Sequence, residues 1–166
     1  VLLYKKVIHF EEVIISINKS DEKRSNIPYR MDIIEEKDID LINSQTTADL
    51  LEKNGQVYIQ KSQMGGGSPI IRGFEANSVL VVIDGVRLNN AIYRNGHLQN
   101  CITLDNNSLE KAEVVFGPGS LLYGSDALGG VMHFYSKEPF LSIDSNSLLK
   151  GNILIRYASA NNEKTS

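Results

Sequence analysis

Apolar and polar positions alternate along this chain in short blocks. β-Branched and apolar residues cluster at 12–17 (Glu-Val-Ile-Ile-Ser-Ile), 30–34, 57–60, Val79–Ile83, 112–116 and 131–136, each the length of one strand. Val79–Ile83 is the longest unbroken apolar run, which predicts a buried strand, and Asp84-Gly85 behind it predicts a tight reversal. Glu36–Ile42 is expected to form a helical turn or two. Thr47 reads as the N-cap of a helix over residues 48–53, with Asn54-Gly55 as its stop. Asn106 or Asn107 is placed to cap a short helix through Glu110, and residues 120–128 to hold a turn or short helix.

The segments between these blocks read as loops. Residues 18–26, with Asp21-Glu-Lys-Arg24 at their centre, are expected to be a mobile linker. Gly65-Gly-Gly-Ser-Pro69 is expected to be a loop, and residues 89–103 lack a clean period and read as a long one. No glycine occurs in the first 54 residues, whereas 12 of the 13 lie between Gly55 and Gly130, so a turn-rich middle follows a glycine-free start. After Pro139 the pattern changes. Residues 151–159 set Asn152, Leu154, Arg156 and Ala158 against Ile153, Ile155 and Tyr157, the alternation of an amphipathic strand. Strands and short helices without regular βαβ alternation predict a small α+β fold with a mixed sheet, short helices and long loops.

Composition narrows the function classes. With 42% hydrophobic and 22% charged residues, the 166-residue chain can bury a core. Its formal charge of −3, from 17 basic and 20 acidic residues, argues against a nucleic-acid binder held by phosphates. No stretch approaches the roughly 18 apolar residues of a membrane helix. A transporter barrel of about 22 strands, each roughly 10 residues, needs about 220 residues in strands alone, so this chain can belong inside such a barrel but not form it. The single cysteine, Cys101, excludes an internal disulfide and a cysteine-only zinc site. The chain begins at Val1 without a signal-like segment, and is expected to be a fragment or a processed product.

Enzyme motifs fail one by one. Gly119–Ser125 has the four-residue gap of a phosphate-binding P-loop, but Ser125 stands where its lysine belongs. Leu122 and Ile70 occupy the third-glycine positions of the two possible dinucleotide fingerprints. Gly124-Ser125-Asp126 lacks the spacing of a hydrolase elbow. His9, His97 and His133 are far apart and form no metal motif, and nothing local activates Cys101. No enzymatic activity, cofactor or metal is expected.

Four stretches carry a resemblance instead: Thr47-Ala-Asp-Leu-Leu51, Pro69-Ile-Ile-Arg-Gly-Phe74, Val82-Ile-Asp-Gly-Val-Arg87, and the run from Leu109 to Phe134. In this order and spacing they resemble the plug domain of TonB-dependent outer-membrane receptors, over about residues 28–137. Lys111 and Phe116 stand where the family usually has arginine, and His133 where it has asparagine. Lys111 keeps the charge without the guanidinium fork, and Phe116 removes a cation.

The resemblance implies a plug inside a water-filled barrel, in the cell outer membrane, with its N-terminus toward the periplasm. It divides the chain into an N-terminal segment (1–27), a plug (28–138), and a linker with the first strand of a β-barrel (139–166). A plug in a polar lumen needs a small apolar core, for which Val81, Ile83, Val114 and Leu122 are candidates, and charged wall contacts, for which Arg72, Arg87, Glu110 and Glu113 are candidates. Outward loops that meet ligand would carry Met64, Ser68, Tyr93, Arg94, His97 and Gln99. The 65–99 region looks most like receptors for haem and haem proteins, and His97 is weighed as an axial haem ligand against an ordinary exposed histidine. Glu12, Val13, Ile14 and Ile15 are candidates for the TonB box, which adds as a strand to periplasmic TonB. The implied partners are therefore TonB, the protein's own C-terminal barrel, and an iron complex or haem as transported ligand. A stand-alone periplasmic binding or signalling domain with a plug-like fold is the alternative.

Overall fold

The computed structural model describes residues 13–14, 22–23, 29–53, 55–63, 66–75, 78–88, 104–117, 123–139, 151, 153, 155–159 and 163–165. Their elements, in chain order, are β1 (Val13–Ile14), β2 (Glu22–Lys23), β3 (Met31–Glu35), α1 (Glu36–Ile42), α2 (Thr47–Lys53), β4 (Tyr58–Gln63), β5 (Gly66–Ile70), β6 (Val79–Ile83), β7 (Val86–Arg87), β8 (Leu109–Phe116), β9 (Gly130–Ser136), β10 (Arg156–Ala158) and β11 (Glu163–Thr165). A five-stranded sheet in the order β3-β8-β9-β6-β7 organises them. Its neighbours run antiparallel except β6 and β9, which are parallel, so the sheet is mixed as expected.

Both faces of β8 are covered. Ala112, Glu113, Val114, Val115 and Phe116 are all buried, and they alternate between the two faces. On one face Ala112, Val114 and Phe116 join Ile34, Val79, Val81, Met132 and Phe134, and pack against α1, α2 and the β4–β5 pair through Ile39, Leu50, Leu51, Ile59 and Ile71. On the other, Met31, Leu80, Val82, Val115 and Val131 form a smaller apolar patch under Tyr123 and Ala127. Of the expected core residues, Val81 and Val114 are buried, Ile83 packs half-buried at the edge, and Leu122 lies outside the described residues.

Local chemistry explains the element ends. Asp38 Oδ2 accepts from the Glu35 N–H at 3.3 Å at the start of α1, and Asn43 closes it in the left-handed region (φ 44), its N–H bonded to the Ile39 carbonyl. The cap of α2 is Thr46, one residue before the expected one: its hydroxyl oxygen accepts from the Asp49 N–H at 3.1 Å. Thr47 is buried, and its hydroxyl donates to the Leu104 carbonyl at 2.6 Å. Asp84 (φ 46) and Gly85 (φ 82) make the reversal between β6 and β7, the two left-handed residues of a type I′ hairpin.

Three expectations are corrected. Asp105, not Asn106 or Asn107, caps a single turn at Asn106–Ser108, and Leu109 and Glu110 already belong to β8. Gly65–Pro69 is not a loop throughout, because β5 pairs antiparallel with β4, Gly67 opposite Lys61. A β-carbon at Gly67 would run into Ile59 Cγ2, so glycine is what allows the two strands to close. Glu22 and Lys23, expected within a linker, pair with Ile14 and Val13.

Candidate functional site

The second face of the sheet carries a polar strip beside its apolar patch. Register builds it: Lys111 lies opposite Tyr135, and Glu113 opposite both Ile33 and His133, with Val82 next to His133. Directly opposed residues point to the same side of a sheet, so Lys111, Glu113, His133 and Tyr135 converge. Glu113 has 0% exposure and His133 5%. Lys111 Nζ donates to Glu113 Oε1 at 2.8 Å and lies 4.5 Å from the centre of the Tyr135 ring. The Tyr135 hydroxyl donates to Glu113 Oε2 at 3.3 Å.

His133 extends the strip to the β6–β7 reversal. Its ring stacks on Tyr135 with centroids 4.1 Å apart, and its Nε2 accepts from the Gly85 N–H at 3.1 Å. A backbone donor at Nε2 places the neutral ring's proton on Nδ1, which faces the Tyr135 oxygen at 3.1 Å. Bonds thus run in one direction, from His133 through Tyr135 to Glu113, where Lys111 balances the charge. Burial lowers the His133 pKa from its usual value, Lys111 adding to that and Glu113 and Asp84 opposing it. Burial and then the Glu113 charge push the Tyr135 phenol upward, so it stays protonated. Asp84 anchors the reversal from the other side, accepting from Ser136 N–H at 2.8 Å and Ser136 Oγ at 2.7 Å. This arrangement compensates a buried carboxylate and ties β8 and β9 to the β6–β7 reversal. Among the described residues no group of three or more His, Cys, Asp or Glu is placed to hold a metal.

The expected site residues fall in separate places. Glu113 cannot touch a surrounding wall, because the pairing register turns it onto the covered face and Lys111 satisfies it there; this corrects its assignment as a wall contact. Ser68 is likewise not on an outward loop, since β5 draws it inside, to 5% exposure. Arg87 is exposed, donates to the Tyr123 carbonyl and lies 3.8 Å from Asp126 Oδ2. Glu110 is exposed at the start of β8. Arg72 is exposed in a tight turn where Ile71 and Phe74 exchange N–H···O bonds of 2.9 Å. Val13 and Ile14 pair with Lys23 and Glu22. Met64, Tyr93, Arg94, His97, Gln99, Glu12 and Ile15 lie outside the described residues.

Sequence reasoning missed His133, Tyr135 and Asp84 as members of one site. A two-residue alternation within 111–113 and within 133–135 was the available signal, but the offset between the two strands is not written in either.

Residues 23–131 match the TonB-dependent receptor plug domain. The chain belongs to that family. Receptors of this family are outer-membrane proteins with the plug inside the barrel, and that is the address of this plug. It is 32% identical over 127 residues to the vitamin B12 transporter BtuB of Vibrio vulnificus, covering 74% of this chain and 20% of that protein. The chain thus spans about a fifth of the length of the relative it matches. In structure it is similar to P. aeruginosa FpvA bound to a heterologous pyoverdine as an iron complex (TM-score 0.63, 19% identity, covering 76% of this chain and 16% of that one), a likeness of fold. It is also similar to a double mutant of the Serratia marcescens hemophore receptor HasR in complex with its hemophore HasA and heme (TM-score 0.57, 25% identity, 68% and 17%). These relatives are transporters and receptors.

Proposed function

We propose that this plug gates the energy-coupled import of an iron complex, a siderophore or haem, through an outer-membrane barrel, and that TonB supplies the pull. The observation that carries the iron reading is the 25% identity to the hemophore receptor, which extends through 68% of this chain. A corrinoid cargo is the second reading, favoured by the identity to the vitamin B12 transporter. Titrating the full-length protein with haem, ferric siderophores and cobalamin separates them. Saturable binding of haem or a ferric chelate is expected; binding of cobalamin alone ends the iron reading and leaves the plug assignment standing.

The proposed division is an N-terminal segment over 1–27, the plug over 28–138, and a linker with the first barrel strand over 139–166. Side-chain orientation supports the last part. Ile153, Ile155 and Tyr157 are 92%, 79% and 68% exposed. Arg156, between them, turns toward the plug and donates to Asn43 Oδ1 (Nε 3.1 Å) and the Ser44 carbonyl (Nη2 2.8 Å). An apolar row facing away from the plug and a cation facing it is how a barrel strand divides between lipid and lumen. Arg72, Arg87 and Glu110 are the wall contacts in this reading, and Met64, Tyr93, Arg94, His97 and Gln99 the ligand-facing residues.

Glu12–Ile15 serve as the TonB-binding strand, with β1 as the part that exchanges partners. Proline at position 14 removes a ladder N–H. Ile14→Pro is therefore expected to abolish uptake while ligand binding to the receptor stays unchanged; uptake at the normal rate would exclude this strand.

A further inference from the structure

Ser44, Thr47 and Asn106 meet as a buried polar joint beside α2, at 2%, 0% and 8% exposure. Asn106 Nδ2 donates to the Ser44 carbonyl at 3.0 Å and to the Ser44 hydroxyl oxygen at 3.2 Å. The Thr47 hydroxyl, which donates to the Leu104 carbonyl, also lies 2.8 Å from Asn106 Oδ1, so one proton serves two acceptors. The joint thus binds the turn between α1 and α2 to residues 104–106, distant along the chain.

Local structure needs neither Thr47 nor Asn106. Thr46 caps α2, and Asp105 caps the turn at Asn106–Ser108, each from one position earlier. Burying a hydroxyl and an amide costs free energy unless both find partners. Both side chains serve the long-range contact instead.

What the joint holds is the root of a chain segment. Leu104 packs half-buried against the main core and follows directly on residues 89–103, which carry Tyr93, Arg94, His97 and Gln99. Backbone holds the root at the other end, where the Leu88 N–H donates to the Val81 carbonyl at 2.9 Å. At Leu104 the bond comes from a side chain. Five residues reach at most about 18 Å, so the position of Leu104 bounds that of Gln99. The same α1–α2 turn also meets β10: the Ser44 carbonyl accepts from Asn106 and from Arg156 Nη2, the latter at 2.8 Å, which engages both of its lone pairs.

We propose that Thr47 and Asn106 are positioning residues for cargo binding: they fix the root of the ligand-facing segment to the turn that β10 grips, and so hold the plug's part of the cargo site in register with the barrel. The inference rests on the ligand-facing and barrel readings above and adds the residues that align the two. Neither residue touches cargo, since both are buried. The physical gain is preorganisation, because a segment whose root is released has to be ordered when cargo binds, and that ordering weakens affinity.

The test uses the full-length receptor in its outer membrane, titrated separately with haem, a ferric siderophore and cobalamin. Thr47→Val keeps the shape of the side chain and removes the hydroxyl. For whichever of the three saturates the native receptor, Kd is expected to rise about ten-fold, while the uptake rate at saturating cargo stays unchanged. Thr47→Ser returns the hydroxyl and is expected to return the native Kd. Asn106→Ala opens the joint from its other side, and serves if the first variant does not assemble as a heat-modifiable barrel. A native Kd in an assembled variant overturns the positioning role even where its urea midpoint falls, because lower stability alone is what a purely structural contact would give. A loss of affinity that Thr47→Ser does not recover overturns it as well. A native receptor that binds none of the three overturns the cargo reading instead, and the native titration tells the two apart.

Discussion

Glu113 is the residue on which the polar strip turns. It is fully buried, and its oxygens accept from Lys111 and Tyr135. Removing one partner of a buried pair leaves the other charge uncompensated. Glu113→Ala is expected to destabilise the plug by about 3 kcal/mol, read as a lower urea midpoint for its unfolding within the intact receptor. His133 makes the strip sensitive to acid. Its Nε2 accepts from Gly85, and a proton there would set two donors against each other. A histidine whose folded pKa lies below the unfolded value contributes stability that is present above the usual 6.5 and lost as pH falls through the folded value. Stability is therefore expected to fall below that point with a slope of up to about 1.4 kcal/mol per pH unit. His133→Asn removes the titrating ring and should flatten the profile. A variant whose midpoint follows the same slope as the native protein would show that another group governs it.

At the scale of elements, the strands with apolar or β-branched runs were legible and the glycine-rich one was not. Val79–Ile83 and the Asp84-Gly85 reversal appear in the structure as read, because run length and turn residues are properties of contiguous sequence. β5 contains Gly66, Gly67 and Pro69, each a poor strand former, and exists because β4 pairs with it. Gly67→Val should therefore weaken the β4–β5 pair by about 1–3 kcal/mol, the usual cost of overpacking. Faster amide exchange in Tyr58–Gln63, with exchange in β8 unchanged, is the expected result. The helices show a milder version of the same effect: α2 was legible, but its cap moved from Thr47 to Thr46 because Thr47 is engaged with Leu104, 57 residues away.

For the whole molecule, a receptor plug has to exchange self-contacts for wall contacts. Exposed Ile153, Ile155 and Tyr157 form an apolar surface that water alone serves poorly. The isolated 1–166 chain is expected to be loosely ordered and cleaved quickly by protease, while the same segment within the receptor resists. A cooperative melt and dispersed amide signals from the isolated chain would favour the stand-alone domain. Family, mixed α+β architecture and most element positions followed from local patterns, which depend on residues a few places apart. The burial of Glu113, its connection to His133 and the meeting of Arg30 with Arg72 over the Phe116 ring required the folded chain. The first two depend on the register between β8 and β9, where a shift of one residue would have turned Glu113 or His133 to the opposite face, and the third on the Ile71–Phe74 turn lying beside the end of β8.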